Sequence, residues 1–248
     1  MQNIKKWKPS KFVYKKGKLV ASRNKQEVSL SSRLMADLIA KFYDQVLPTY
    51  AKGNLLDLGC GKVPLYGAYK DKISNCICVD WDNSLHKNEF IDKSVDLNES
   101  LPFEDKTFDT VILSDVLEHI RNPLSLWHEM NRVLKENGIL ILNVPFHYWI
   151  HEHPFDYYRY TKYALENFAT ESNFEIIALN ELGGIIEVLT DFIAKSTIGI
   201  PLIGKCIASF IQWKSGIILK LPIGKIIMKK TSRNFTLAYG LVAKKSSV

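Results

Sequence analysis

Short apolar runs alternate with amphipathic stretches between about residue 30 and residue 180. The runs are rich in Leu, Ile and Val, which is typical of strands buried on both faces of a parallel sheet. The stretches between them repeat apolar residues at helical spacing. This alternation predicts an α/β fold with a doubly wound, mostly parallel sheet. The predicted strands span residues 54–59, 73–80, 107–114, 139–144, 174–179 and 235–243.

Two helices can be predicted from the residues at their ends. Residues 30–47 form an amphipathic helix that should end before Pro48. A second helix should begin after Asn122, a good N-cap, with Pro123 in its first turn and Gly138 at its C-cap.

About 55 residues of mixed apolar and basic sequence separate the last two predicted strands, and we expect them to form a helical insertion. The chain therefore divides into a basic N-terminal segment, a core, the insertion, and a final strand with its tail. These parts span residues 1–27, 28–180, 181–233 and 234–248.

Charge is distributed unevenly along the chain. Residues 1–27 carry nine Lys/Arg and one Glu, residues 28–191 carry 14 Lys/Arg and 25 Asp/Glu, and residues 192–248 carry ten Lys/Arg and no acid. The formal net charge of +7 thus hides an acidic middle between two basic ends. This asymmetry indicates an anionic surface or ligand as a partner.

The segment LLDLGCGKVPL, residues 55–65, joins an apolar strand to a glycine turn at Gly59 and Gly61. Glycine allows the backbone to approach a ligand closely and to adopt positive φ. A dinucleotide site of the G-x-G-x-x-G type would need glycine where Pro64 stands, so that site is not expected. Asp80, 19 residues after Gly61, ends the next strand and could accept both ribose hydroxyls, with Asp82 as the alternative.

The D-x-G-x-G pattern resembles the first signature of class I S-adenosylmethionine-dependent methyltransferases. The run LPFEDKTFDTVILSDVLEHI, followed by P-L-x-L-W-x-E-M-x-R-V-L-K-x-x-G, is similar to the type 11 branch over residues 54–144. The resemblance implies a Rossmann-like seven-stranded sheet with S-adenosylmethionine as cofactor. Val63 departs from the pattern, because many members have a third glycine there.

The resemblance also implies which residues bind the cofactor. The glycine turn with its preceding acid would hold the methionine moiety, the acid after the second strand the ribose, and an acid-plus-apolar pair the adenine. The residues at the tip of the fourth strand would border the methyl group. The implied set is Asp57, Gly59, Cys60, Gly61, Asp80, Trp81, Asp96, Leu97, Ser114 and Asp115.

The loop PFHYWIHEHPFDYYRYT, residues 145–161, leaves the sheet where such enzymes bind their acceptor. A similar stretch occurs in type 11 members among bacterial cell-surface sugar enzymes. Neutral histidine is the natural base for a hydroxyl acceptor, so His151 and His153 are the candidates, with Asp156 as an orienting partner. The alternative is that this loop is a structural lid.

Substrate contacts are predicted for Tyr158, His119 and Arg159, the last as a clamp for a phosphate or carboxylate. Residues such as Glu118 and His119 are, however, more often buried, hydrogen-bonded scaffold than catalysts. A metal site from His147, His151 and His153 is possible by count, but these histidines lack companion acids in a convincing arrangement, so no metal is expected.

The insertion contains too many lysines, and prolines at Pro201 and Pro222, to cross a bilayer. It fits either a helical layer on an anionic membrane surface or an ordinary cap that packs on the sheet or a second subunit. Four cysteines without paired spacing indicate reduced thiols. Since no apolar signal segment follows the basic N-terminus, we expect a cytoplasmic location. If the insertion lies on a membrane surface, the protein would be peripheral on the inner membrane face.

The first functional hypothesis is O-methylation of a small-molecule, sugar or lipid-linked acceptor. A nucleic-acid methyltransferase is the second, prompted by the basic ends. It is weakened because the fourth strand ends in SDVL rather than the N/D-P-P-Y/F run used on base amines. A membrane-associated protein that binds the cofactor without catalysis is the third. The sequence does not indicate an oligomeric state.

Overall fold

A computed structural model describes residues 1–82 and 89–247. The strands are β1 (Phe12–Lys15), β2 (Lys18–Ala21), β3 (Gly53–Leu58), β4 (Ile73–Asp80), β5 (Lys93–Ser94), β6 (Phe108–Ser114), β7 (Leu134–Pro145), β8 (Phe174–Leu182) and β9 (Ala238–Lys245). The helices are α1 (Arg33–Tyr50), α2 (Tyr66–Tyr69), α3 (Pro123–Val133), α4 (Lys162–Glu171), α5 (Ile185–Thr197), α6 (Gly204–Ile218) and α7 (Pro222–Thr231).

Seven strands form the central sheet, in the order β5-β4-β3-β6-β7-β9-β8. Strands β3 to β7 run parallel, and β9 lies antiparallel between β7 and β8. This confirms the predicted doubly wound, mostly parallel fold. The strand order reverses between β3 and β6, which places a ligand crevice at their carboxyl ends.

The sheet is covered on both faces because its strands send alternate apolar side chains to opposite sides. On β3, Leu55 packs into one core with α1 and α2, whereas Leu56 and Leu58 pack into the other with α3 and α4. Trp127 of α3 is fully buried in the second core. This two-sided packing fixes the sheet edge at which the site lies.

The basic N-terminal segment contains a β-hairpin, β1–β2. Lys16 and Gly17 both have positive φ, as a two-residue hairpin turn of type I′ requires. Phe12 and Leu19 are buried with α1, and the Leu19 backbone N–H donates to Asp44 Oδ1 at 3.0 Å. The hairpin is thus an integral part of the fold.

The predicted insertion forms three helices, α5 to α7, between β8 and β9. Among the helices of residues 1–82 and 89–247, none is long and apolar enough to cross a membrane.

Several predicted boundaries were wrong. Helix α1 continues through Pro48 to Tyr50, since a proline in the last turn removes only one backbone hydrogen bond, and the Ala51 N–H closes the helix on Leu47 O. Helix α3 begins at Pro123, as expected, and the Asn122 side chain accepts from Ser125 N. It ends at Val133, however, and Gly138 lies within β7.

The predicted last strand was displaced toward the N-terminus. It begins at Ala238 rather than at residue 235, and Phe235 is 42% exposed. An apolar run continues from Phe235 into the strand, so hydrophobicity alone could not locate the start.

The contact between β9 and α1 has no room for a side chain at Gly240. A Cβ added there would lie 2.7 Å from ring carbons of Phe42. We expect Gly240→Ala to lower the free energy of unfolding by about 1–3 kcal/mol, because the core must shift to accept a methyl group. Urea denaturation measures the change.

The matched control is Gly216→Ala in α6, where an added Cβ meets nothing within 4 Å. Equal stability of the two variants would contradict the packing described for β9 and α1.

Candidate active site

A cavity of about 340 Å³ opens at the carboxyl ends of β3, β4 and β6. Side chains and backbone from three successive strand ends meet there because the strands are parallel. All ten residues predicted to bind the cofactor line this cavity: Asp57, Gly59, Cys60, Gly61, Asp80, Trp81, Asp96, Leu97, Ser114 and Asp115.

The glycine turn follows β3 directly. Gly59 and Gly61 have φ values of 65° and 50°. A Cβ on Gly59 would also lie 2.5 Å from Val116 Cγ2, so the position excludes any side chain. Val63, at the position where many family members have glycine, has φ of 50° and is fully buried. The Trp7 indole N–H donates to Val63 O at 3.0 Å and helps to hold this conformation.

Asp80 fastens the glycine turn to the end of β4. Its Oδ2 accepts the Gly61 backbone N–H at 2.9 Å, and its Oδ1 accepts the Trp81 N–H at 2.7 Å. A carboxylate oxygen has two lone pairs, so both oxygens can also accept a ribose hydroxyl. Asp82, the alternative, is exposed and is not among the described residues that line the cavity.

Asp57 lies deeper, with its side chain buried at the end of β3. The Tyr69 hydroxyl donates to Asp57 Oδ2 at 2.9 Å. Burial, with the neighbouring Asp80 charge, raises the pKa of Asp57 to about 7 despite that hydrogen bond. A positively charged ligand group in the cavity would favour the ionised carboxylate.

Asn143 of β7 holds the tip of β6. Its Oδ1 accepts from the Tyr43 hydroxyl at 2.8 Å and from Ser114 Oγ at 2.9 Å, and its Nδ2 donates to Asp115 Oδ1. Asp115 has φ of 53°, and its Oδ2 pairs with Lys11 Nζ at 2.7 Å. These bonds fix Asp115 where it lines the cavity.

Sequence reasoning missed Lys11. Together with Ser10, Gln26 and Glu27 it brings the N-terminal region into the cavity wall. Lys11 and Asp115 are 104 positions apart in the sequence. Near Lys11, the sequence offers only the alternating apolar pattern of the hairpin that follows, which does not point to an ion pair. Part of the positive charge near the N-terminus therefore serves an internal ion pair.

The loop after β7 covers the cavity and borders a second one. The Phe155 ring lies against Trp81, with ring centroids 5.1 Å apart, and His153 lines the first cavity. The second cavity, of about 180 Å³, is lined by Tyr148 and His151 of the loop and by Ser32 next to α1. Asp115 lines both cavities, so they are neighbours.

His151 and Asp156 form a pair beside the second cavity. The distance between His151 Nδ1 and Asp156 Oδ2 is 3.1 Å, and the His151 backbone N–H donates to the same oxygen at 2.8 Å. Although burial opposes it, the hydrogen bonds from Arg159 and His151 hold the pKa of Asp156 at about 2. Burial lowers the pKa of His151, which favours its neutral form.

Arg159 does not fit the predicted role of an anion clamp. Its guanidinium donates to Asp156 Oδ1 at 2.6 Å and Oδ2 at 2.7 Å, and to the carbonyls of Tyr148, Trp149 and Tyr158. All five N–H groups are thereby used. The Tyr158 hydroxyl likewise donates to Arg121 O at 2.9 Å. Arg159 thus holds the loop together and orients Asp156, whereas Tyr158 ties the loop to Arg121.

Glu118 and His119 come close to His151. The Glu118 side chain is fully buried, and its two carboxyl oxygens have no hydrogen-bond partner among the described residues. Burial raises the pKa of Glu118 well above its usual range. His151 Nε2 lies 3.8 Å and His119 Nε2 3.7 Å from Glu118 Oε1.

These three side chains could also hold a metal ion, since their ligand atoms lie within 4.8 Å of one another. The set differs from the loop histidines weighed in the sequence. His147 Nδ1 instead lies 2.7 Å from Thr236 O. Chelation of metal ions distinguishes a metal ligand from a general base at His151.

The fold and the cavity define a nucleoside-binding site of the class I type. Comparison with known proteins agrees with this: a family model described as a methyltransferase domain, Methyltransf_23, matches residues 29–181. The chain belongs to this methyltransferase family. The class I assignment is thereby confirmed, and its cofactor is S-adenosylmethionine.

An uncharacterized protein of Methanocaldococcus jannaschii is 39% identical over 92 residues. The match covers 36% of this chain and only 40% of that relative's length.

Solved structures agree in fold. The [4+2]-cyclase SpnF aligns with a TM-score of 0.57 and 17% identity over 87% of this chain and 84% of its own. A chain from the Haloferax volcanii complex between the Trm112 methyltransferase activator and a methyltransferase aligns with a TM-score of 0.55 and 14% identity. The alignment covers 85% of this chain and 90% of that one. A Bacillus halodurans protein assigned to the methyltransferases aligns with a TM-score of 0.52 and 16% identity. The alignment covers 86% of this chain and 100% of that one. At these identities the likeness concerns the fold alone.

Asp80 offers a test of the cofactor cavity. We expect Asp80→Asn to weaken S-adenosylmethionine binding by about ten- to a hundredfold, since hydrogen bonds to a charged group contribute about 1.5–3 kcal/mol each. Asparagine keeps one acceptor oxygen for the turn and so spares the fold better than alanine. Isothermal titration calorimetry gives the affinity.

Asp82→Asn is the control and should bind the cofactor like the wild type. A loss at Asp82 with none at Asp80 would move the ribose contact to the exposed residue.

Proposed function

We propose that the protein transfers the methyl group of S-adenosylmethionine to a hydroxyl oxygen of a small-molecule, sugar or lipid-linked acceptor. The observation that carries the proposal is His151, which pairs with Asp156 and lies in the wall of a cavity next to the cofactor cavity. A hydroxyl acceptor needs a base, and a carboxylate-oriented imidazole is a suitable one.

The pair defines the tautomer of His151. Asp156 stays ionised at neutral pH because its pKa is about 2, so it accepts the proton carried by Nδ1. Nε2 then carries the lone pair.

Bound S-adenosylmethionine supplies an electrophilic methyl group on a sulfonium. The residues of this chain provide alignment and a proton acceptor, which are the main requirements of an in-line displacement. As the acceptor oxygen bonds to the methyl carbon and the carbon–sulfur bond breaks, the hydroxyl proton passes to His151 Nε2. Asp156 stabilises the imidazolium that results.

Isotopically labelled S-adenosylmethionine tests the activity itself. The purified protein, incubated with lipid and glycan extracts, should transfer label to a hydroxyl-bearing component that mass spectrometry can identify. Label in RNA alone would favour the nucleic-acid alternative, and tight cofactor binding without any transfer would favour a non-catalytic role.

We expect His151→Gln to lower kcat by about 10²–10⁴-fold, the usual contribution of a general base, with little change in cofactor affinity. In the wild type, kcat/KM should be highest where His151 is neutral and fall as the pH drops through a pKa below the usual value of about 6.5. Steady-state rates across pH measure both effects.

His128→Gln, on the exposed side of α3, is the matched control and should keep full activity. Asp156→Asn should lower kcat as well, because the imidazole loses its orienting charge. A pH profile unchanged by His151→Gln would remove this residue from proton transfer.

Chelation separates a base from a metal ligand at His151. If Nε2 removes the proton directly, dialysis against EDTA leaves kcat unchanged. Loss of activity that returns with one added divalent ion would instead assign Glu118, His119 and His151 to a metal site.

A further inference from the structure

The cap, residues 185–233 with helices α5 to α7, has an unusual distribution of polar residues. On α5 the side chains of Glu187, Thr190 and Asp191 are buried at 1–3% exposure. On the outer face, Leu189 is 52% and Phe192 71% exposed. A helix on the surface of a water-soluble protein normally has the reverse arrangement.

Most polar groups on the buried face of α5 have partners, although Asp191 Oδ1 accepts no hydrogen bond among the described residues. Asp191 forms an ion pair with Lys195, Thr190 Oγ1 lies 2.6 Å from Ser215 Oγ of α6, and Glu187 Oε2 accepts the Gly184 N–H at 2.9 Å. This orientation of α5 is therefore stabilised by specific bonds. Its apolar face consequently points outward.

The apolar surface continues across the rest of the cap. Leu202, in the turn between α5 and α6, is 99% exposed. Large exposed apolar side chains follow on α6 and α7, namely Phe210, Trp213, Ile217, Ile223 and Ile226. Exposed apolar side chains of this size on all three helices indicate an interaction surface.

The charges of the cap are all of one sign at its surface. Its acids, Glu187 and Asp191, are buried, and residues 192–248 contain no Asp or Glu. Seven basic residues of the cap are exposed: Lys205, Lys214, Lys220, Lys225, Lys229, Lys230 and Arg233. The surface thus combines apolar side chains with uncompensated positive charge.

We propose that the cap docks on the surface of a lipid bilayer that contains anionic lipids. Apolar side chains enter the boundary between headgroups and acyl chains, and lysines pair with the headgroups. Pairing of two caps from two copies of the chain would instead bring like charges together. The proposed contact is peripheral, since no helix among the described residues is both long and apolar enough to cross a membrane.

The cap also contacts Tyr148, a wall residue of the second cavity, and Ser31, which precedes the wall residue Ser32. Lys195 Nζ lies 3.5 Å from the centroid of the Tyr148 ring, and Gln212 Nε2 of α6 donates to Ser31 O at 2.8 Å. Tyr148 lines that cavity. Docking would thus bring the cavity close to the bilayer. The docking proposal does not depend on the proposed methyl transfer.

Co-sedimentation with vesicles tests the proposal on the full-length protein. Partition onto vesicles with 30% phosphatidylglycerol should exceed partition onto pure phosphatidylcholine by at least tenfold and should decrease as salt is added. Replacing Lys214, Lys220 and Lys225 by Gln should lower the partition coefficient by about a hundredfold, from about 1 kcal/mol per lysine near the surface.

The matched control replaces Lys52, Lys70 and Lys72, which are exposed near the amino ends of β3 and β4, by Gln. This variant has the same net charge as the triple variant of the cap, but it should bind vesicles like the wild type. Brominated lipids should quench the fluorescence of Trp213, and the quenching should decrease in Trp213→Phe.

Three results would overturn the proposal. The first is no preference of the wild type for anionic vesicles at low salt. The second is an equal loss of binding in both triple lysine variants. The third is a stable dimer in sedimentation analysis that Phe192→Ser dissociates, since the apolar surface would then bind a second copy.

Discussion

The buried amide of Asn143 is the interaction on which the geometry of the site depends. It joins α1, β6 and β7 through Tyr43 and Ser114, and it holds Asp115 in a backbone conformation that favours glycine. Asp115 in turn lines both cavities. A polar group buried at this depth requires its partners, because an unmade bond costs about 1–3 kcal/mol. The Asn143 amide therefore helps to fix the boundary between the two cavities.

Carboxyl groups dominate the electrostatics around that boundary. Burial raises the pKa of Asp57 and of Glu118, whereas Arg159 and His151 keep Asp156 ionised. Carboxyl groups whose pKa values differ in this way can serve different roles within one site. A ligand with a cationic sulfonium and an ammonium group would offset the cost of the buried acids, which agrees with the cofactor of the family.

Features set by residues that are close in sequence could be predicted. The glycine turn comes directly after one strand and Asp80 ends the next, and parallel strands bring their ends together. The residues predicted to bind the cofactor therefore line one cavity. The role of Arg159 could not be predicted, because its donors are used by loop carbonyls whose positions only the folded chain defines. Lys11 was missed because its partner Asp115 is remote in sequence. The outward apolar face of α5 likewise becomes visible only once burial is known.

If the cavity between β3, β4 and β6 holds the methyl donor, a crystal structure with S-adenosylhomocysteine should show it there. We expect the ribose hydroxyls on Asp80 and the sulfur beside Asp115, on the side that faces His151. A nucleoside bound elsewhere, or a sulfur that faces away from the second cavity, would rule out this arrangement.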